Sequence, residues 1–171
     1  QAALNAAIND PAITEVTLGR DVTERVIFNG GDKSITLNMN GKTLTCKDAT
    51  PLTVQSGKLT VTGTAAITQE RDSDNASTYP AIHLTGGELV FEGVLTATGG
   101  AGRTDHVQKP GVLAEGGTLE FQKEVHLGGG LTVTGSAVLR GGLKLGSTFT
   151  RADQAQNTKT LDVSESSSYT N

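Results

Sequence analysis

Three stretches of the chain align on one another at a spacing close to thirty residues. They read Lys58-Leu-Thr-Val-Thr-Gly63, Glu88-Leu-Val-Phe-Glu-Gly93 and Thr118-Leu-Glu-Phe-Gln-Lys123. The segments ahead of them align as well: Pro51-Leu-Thr-Val-Gln-Ser-Gly57, Ala81-Ile-His-Leu-Thr-Gly-Gly87 and Gly111-Val-Leu-Ala-Glu-Gly-Gly117. In each, apolar residues alternate with polar ones, the period of a strand with one buried face, and glycine closes the unit. A short strand that recurs at a fixed interval between glycine turns is the pattern of a β-solenoid, in which each repeat buries its apolar face on the next.

Composition narrows the core. Only 4% of the 171 residues are aromatic and Trp is absent, so the interior must be aliphatic and thin. Stacked small coils suit such a core better than a wide sandwich does. The net charge of −4 argues against nucleic acid as a partner, which wants a basic face. No apolar run is long enough to span a membrane. Cys46 is the single cysteine, which excludes an intramolecular disulfide and a cysteine-built metal site. It ends an alternating segment and is expected in or near the core. No signal peptide is present and the chain does not begin with Met, as expected of a trimmed piece or a mature fragment; this leaves export open.

Residues 2–9 carry the one helical pattern. Leu4 and Ile8 share a face with Ala3 and Ala7, and Pro11 follows the end. Placed before the first coil, this helix is expected to cover its open end. Residues 1–12 are therefore assigned as an N-terminal capping helix. Residues 13–150 are assigned as a parallel β-helix of five to six coils with three strands each. Residues 151–171 are assigned as a C-terminal cap or linker, with one edge strand over 160–163 and a serine-rich end. At ~4.8 Å per coil, five coils make a prism ~24 Å tall. A β-sandwich is the rival fold, since it too has many short alternating strands, and Asn40-Gly41 is a hairpin signal in its favour. A sandwich, however, has no reason to be self-similar.

At Ser34-Ile-Thr-Leu-Asn-Met-Asn-Gly-Lys-Thr-Leu-Thr45 and Gly57-Lys-Leu-Thr-Val-Thr-Gly63 the chain resembles the right-handed parallel β-helix modules, of pectin-lyase-like fold, in large surface proteins of Gram-positive gut and oral bacteria. The Ala-Ala-Ile-Asn-Asp stretch before the first coil fits the same group. The resemblance covers roughly residues 2–145. It implies an all-β right-handed solenoid, an extracellular or cell-wall location and a multidomain parent. It carries over no catalytic residue, because the matched motif contains none.

In a solenoid the strands are scaffold and the insertions between them carry recognition. Two insertions stand out, residues 69–79 and 99–109, in the same place in consecutive repeats. They are expected to leave one edge, one above the other, with the shorter Lys47-Asp-Ala-Thr50 at the same corner one coil earlier. This gathers Glu70, Arg71, Asp72, Asp74, Tyr79, Arg103, Asp105, His106 and Lys109 into one candidate ligand-binding neighbourhood, with a glycan or a host or cell-surface protein as the expected partner. The alternative is a polysaccharide lyase or glycoside hydrolase acting through the same loops. Hydrolysis needs two carboxylates at a set separation, and Asp72, Asp74 and Asp105 lie on loops. The Asn-Thr-Asp, Asp-Asp and Gly-His-Gly motifs of pectin-cleaving hydrolases are absent. The expectation is a non-catalytic surface module for adhesion, carbohydrate binding or structural spacing, without a cofactor, with at most an incidental calcium ion at Asp72 and Asp74. His83 and His126 fall between apolar positions and should point outward. His106 lies in a loop, so no zinc site converges.

Overall fold

In the computed structural model the thirty-residue period becomes strand register. Lys58, Glu88 and Thr118 are ladder partners, and so are Leu52, Ile82 and Val112. The structure describes residues 3–70, 78–101, 108–134, 136–139, 143–146, 161–163 and 168–169. The chain is mostly strand, arranged in parallel sheets, with one short helix, α1 (Ala3–Asn9).

Three ladders run through it. The first joins the start of β3 (Val26–Asn38), the start of β5 (Leu52–Thr62), β7 (Ile82–Leu84), β10 (Val112–Ala114), β13 (Leu131–Val133) and β16 (Leu161–Val163). The second joins β1 (Glu15–Thr17), the ends of β3 and β5, β8 (Glu88–Phe91), β11 (Thr118–Phe121), β14 (Ser136–Leu139) and β17 (Ser168–Tyr169). The third is a six-stranded sheet of β2 (Val22–Thr23), β4 (Thr43–Cys46), β6 (Ala65–Gln69), β9 (Leu95–Thr98), β12 (Val125–Gly128) and β15 (Leu143–Gly146). The long strands β3 and β5 serve two ladders each and so link the first two into one eleven-stranded sheet. Every pairing between these strands is parallel, whereas a sandwich built from hairpins requires antiparallel neighbours. Asn40-Gly41 does adopt left-handed dihedrals, φ 51° and 70°. It nevertheless turns the chain from β3 into β4, which lie in different sheets. The pair is a corner where the sequence also allowed a hairpin.

Parallel register places like side chains on one another. Val26, Leu52, Ile82, Val112 and Leu131 form one inward column, and Ile35, Leu59, Leu89 and Leu119 another; all are buried. Phe91 and Phe121 stack with ring centroids 5.6 Å apart and an interplanar angle of 21°. Each buried aliphatic side chain contributes about 1.5–3 kcal/mol against the entropy of ordering its strand. Cys46 is half-buried at the end of β4, in register with Gln69. On the outer face of the second ladder Lys58 bonds Glu88, one repeat further along the chain, at 2.7 Å. That hydrogen bond, helped by the charges of Glu88, Glu120 and Glu92, holds the Lys58 ammonium above the ordinary lysine range. β16 and β17 extend the first two ladders within the segment assigned as cap and linker.

The sequence expected α1 as a cover, and the structure shows how it covers. The first ladder begins at β3, and no strand pairs with the outer edge of Val26–Phe28 among the described residues. There Asn5 Oδ1 accepts from Ile27 N (2.7 Å), Asn9 Nδ2 donates to Ile27 O (2.7 Å) and Asn9 Oδ1 accepts from Asn29 N (3.1 Å). Four residues of helix rise about 6 Å, close to the ~6.6 Å between alternate residues of a strand. Two asparagines one helical turn apart therefore reproduce the edge of a missing strand. Leu4 and Ile8, on the same helix, bury into the core. Glu24 accepts from the N–H groups of Leu4 and Asn5 at the start of α1, and Lys33 donates to the Ile8 and Asp10 carbonyls at its end.

The corner glycines follow from the same stacking. Gly57, Gly87 and Gly117 all have positive φ, at 80°, 76° and 72°. A Cβ on Gly87 would lie 2.4 Å from the Gly57 carbonyl oxygen, and one on Gly117 2.3 Å from that of Gly87. Gly87→Ala is expected to destabilise the chain by at least about 1–3 kcal/mol from backbone strain, measured by urea denaturation. Gly19→Ala meets nothing within 4 Å and is expected to stay within about 0.5 kcal/mol of the parent. Equal effects of the two substitutions would contradict the stacked-corner reading.

Candidate functional site

The two insertions leave the third ladder where β6 and β9 end. Of the nine residues assigned to the site, Arg71, Asp72, Asp74, Arg103, Asp105 and His106 lie outside the described residues. Glu70, Tyr79 and Lys109 are described, and all three stand at the bases of the insertions.

The main chain ties these bases together. Glu70 N donates to Cys46 O at 2.9 Å, which fixes the start of the first insertion on the preceding repeat. Gly100 N donates to Tyr79 O at 2.9 Å, and Lys109 N donates to Gly100 O at 2.7 Å. The end of the first insertion is thus bonded to the start of the second, and that start to its own end. Ala101 and Gln108 pair as an antiparallel bridge, and Gln108 Nε2 also donates to Gly99 O at 3.2 Å. Lys47, Gln69 with Tyr79, and Gly100 with Lys109 sit at the ends of successive strands of the third ladder.

Gln69 organises this corner, and it was not among the assigned residues. It is 3% exposed. Its Nε2 donates to Lys47 O and to Glu70 O, each at 2.6 Å, and its Oε1 accepts from Tyr79 N at 3.2 Å. One buried side chain therefore finds its hydrogen-bond partners in the backbone of the short corner and of both ends of the first insertion, as a buried amide must. A Cβ on Gly100 would stand 1.5 Å from Gln69 Oε1, so the second insertion starts with glycine because its backbone lies directly on the amide. The sequence did hold a signal. Ala65, Ile67 and Gln69 alternate along β6, which puts Gln69 on the inward face where a polar residue needs a reason.

The side chains of Glu70 and Lys109 are exposed and that of Tyr79 is half-buried. The bases thus offer an acid, a base and a phenol on a fixed backbone, a set suited to hydrogen bonding with a polar ligand. Elsewhere His83 meets Glu115 at 2.7 Å and His126 meets Glu124 at 2.5 Å on the outer faces, in line with the expected outward placement. No group of three metal-ligating side chains converges among the described residues. A cleft of about 600 Å³ lies between α1 and the first repeat, lined by Leu4, Ala7, Val16, Leu18 and Arg20 among others. Both carboxylate oxygens of the Glu24 on its rim are used by α1. Among the described residues no helix is long and apolar enough to cross a membrane.

Gln69→Ala removes the side-chain partner of Lys47 O, Glu70 O and Tyr79 N. It is expected to cost about 1–3 kcal/mol of stability and to speed amide exchange at Tyr79 and Gly100, read by hydrogen-exchange NMR. Unchanged exchange at both amides would show that the corner does not depend on Gln69.

No protein-family model, curated protein or solved structure matches the chain.

Proposed function

We propose that the chain is a right-handed parallel β-helix serving as a non-catalytic, cell-surface module, which binds glycan or a surface protein along the edge formed by residues 69–79 and 99–109. The handedness and surface location rest on the resemblance of the coil motifs. Three parallel ladders with inward apolar columns support the helical winding. The observation that carries the binding reading is the cross-bonding of the two insertion bases through Tyr79 O, Gly100 N and Gln69. Bases fixed in this way hold recognition groups at low entropic cost, and preorganisation is what a weak polar binding site most needs.

The test is a glycan array followed by calorimetry on the hits, with the parent and a Glu70→Ala, Tyr79→Ala, Lys109→Ala triple variant. Loss of at least about tenfold in affinity, roughly 1.4 kcal/mol, is expected in the triple variant, whereas Lys58→Ala on the second ladder should bind as the parent does. Equal binding by parent and triple variant would move the site off this edge. Accumulation of cleaved acidic polysaccharide, abolished by Asp72→Asn or Asp105→Asn, would replace binding with catalysis.

A further inference from the structure

We infer that α1 masks a self-complementary strand edge, and that releasing α1 lets two copies of the chain join through Ile27 in a symmetric dimer. The inference starts from what α1 covers. Along Val26–Asn29, Val26 N turns inward to Pro51 O. Ile27 N, Ile27 O and Asn29 N turn outward, and Asn5 and Asn9 satisfy all three. Remove α1 and this edge presents a donor and an acceptor on the same residue.

Such an edge fits a second copy of itself. When antiparallel strands place a residue opposite its own counterpart in a hydrogen-bonded pair, the two exchange both N–H···O bonds. Ile27 facing Ile27 of the partner subunit would therefore satisfy the same two groups that Asn5 and Asn9 now satisfy. In that register Asn29 N faces the carbonyl of Arg25 of the partner subunit, and the two-fold axis repeats the bond. A two-fold contact of this kind closes on itself and stops at a dimer. The remaining edges of the first repeat are protected differently: β1 is three residues long and β2 two, and brevity is itself a defence against edge pairing. β3 pairs with β1 along Thr36–Asn38, and the edge of its start, at Ile27 and Asn29, is the one covered by a helix.

The cover is weakly built. α1 has seven residues, with no acidic group in its first turn and no basic group in its last. A helix this short does not persist alone. It is held by two buried side chains, two asparagines, and Glu24 and Lys33 from the chain below.

The test uses the full chain with Asn5→Ala and Asn9→Ala, which removes the amides and keeps the helix sequence otherwise intact. Sedimentation velocity over a concentration series is expected to give a monomer for the parent and a concentration-dependent dimer for the double variant. The Ile27 amide, followed by hydrogen-exchange NMR, should be protected in the dimer and lose protection on dilution. Adding Ile27→Pro, which deletes the outward N–H, should return the double variant to monomer. If the double variant unfolds, Glu24→Gln with Lys33→Met frees the helix ends while keeping the asparagines, and is read by the same criteria. A folded variant with a rapidly exchanging Ile27 amide that stays monomeric overturns the inference, as does a dimer that survives Ile27→Pro.

Discussion

Parallel register between successive repeats is the constraint from which the rest of this molecule follows. Once Leu59 lies on Leu89 and Leu89 on Leu119, every position is repeated one strand spacing away, and each must tolerate its own neighbour. Apolar residues at inward positions stack into continuous columns. Glycine recurs at the corner of Gly57, Gly87 and Gly117 because the carbonyl below occupies the place of a side chain. At an outward position, Lys58 finds Glu88 on the next repeat. Added chain is accommodated only where the main chain leaves a ladder, and both long insertions begin there.

A stack of parallel strands leaves an open edge at its first strand. At the start of the first ladder the open backbone is satisfied by helix side chains. Asn5 and Asn9 act as acceptors and donor at the spacing of a strand. At the insertion corner the same demand is met from inside, by Gln69. The side-chain amides of Asn5, Asn9 and Gln69 thus bond backbone where a ladder starts and where an insertion leaves one.

Much of the scaffold was legible because a stacked repeat writes its register into the sequence. The aligned segments at Lys58, Glu88 and Thr118 are the observed ladder partners, and the alternating positions within them are the buried ones. What escaped detection was polar. On a helix, Asn5 and Asn9 read as solvent-facing, since nothing local shows that they face an exposed strand edge. Asn40-Gly41 carries the dihedrals of a hairpin, and only the divergence of its flanking strands into separate sheets makes it a corner. The strand at Ser168–Tyr169 lies in a serine-rich segment whose composition suggested a linker; its pairing with β14 comes from the ladder and not from local propensity. At the site the sequence located the insertions and their shared edge, yet it passed over Gln69, whose inward place in the alternation of β6 was the available clue.

Register is tested most directly by cross-linking. With Cys46→Ser as background, Thr60→Cys paired with Val90→Cys, and separately Val90→Cys paired with Glu120→Cys, puts thiols on ladder partners. Partner Cα atoms lie at the ~4.8 Å strand spacing, within the range a disulfide spans. Both pairs should oxidise to intramolecular disulfides in the folded protein, leaving the circular dichroism spectrum unchanged. Folded protein in which neither pair forms, under oxidation that links a surface control pair, would contradict the parallel thirty-residue register on which the account rests.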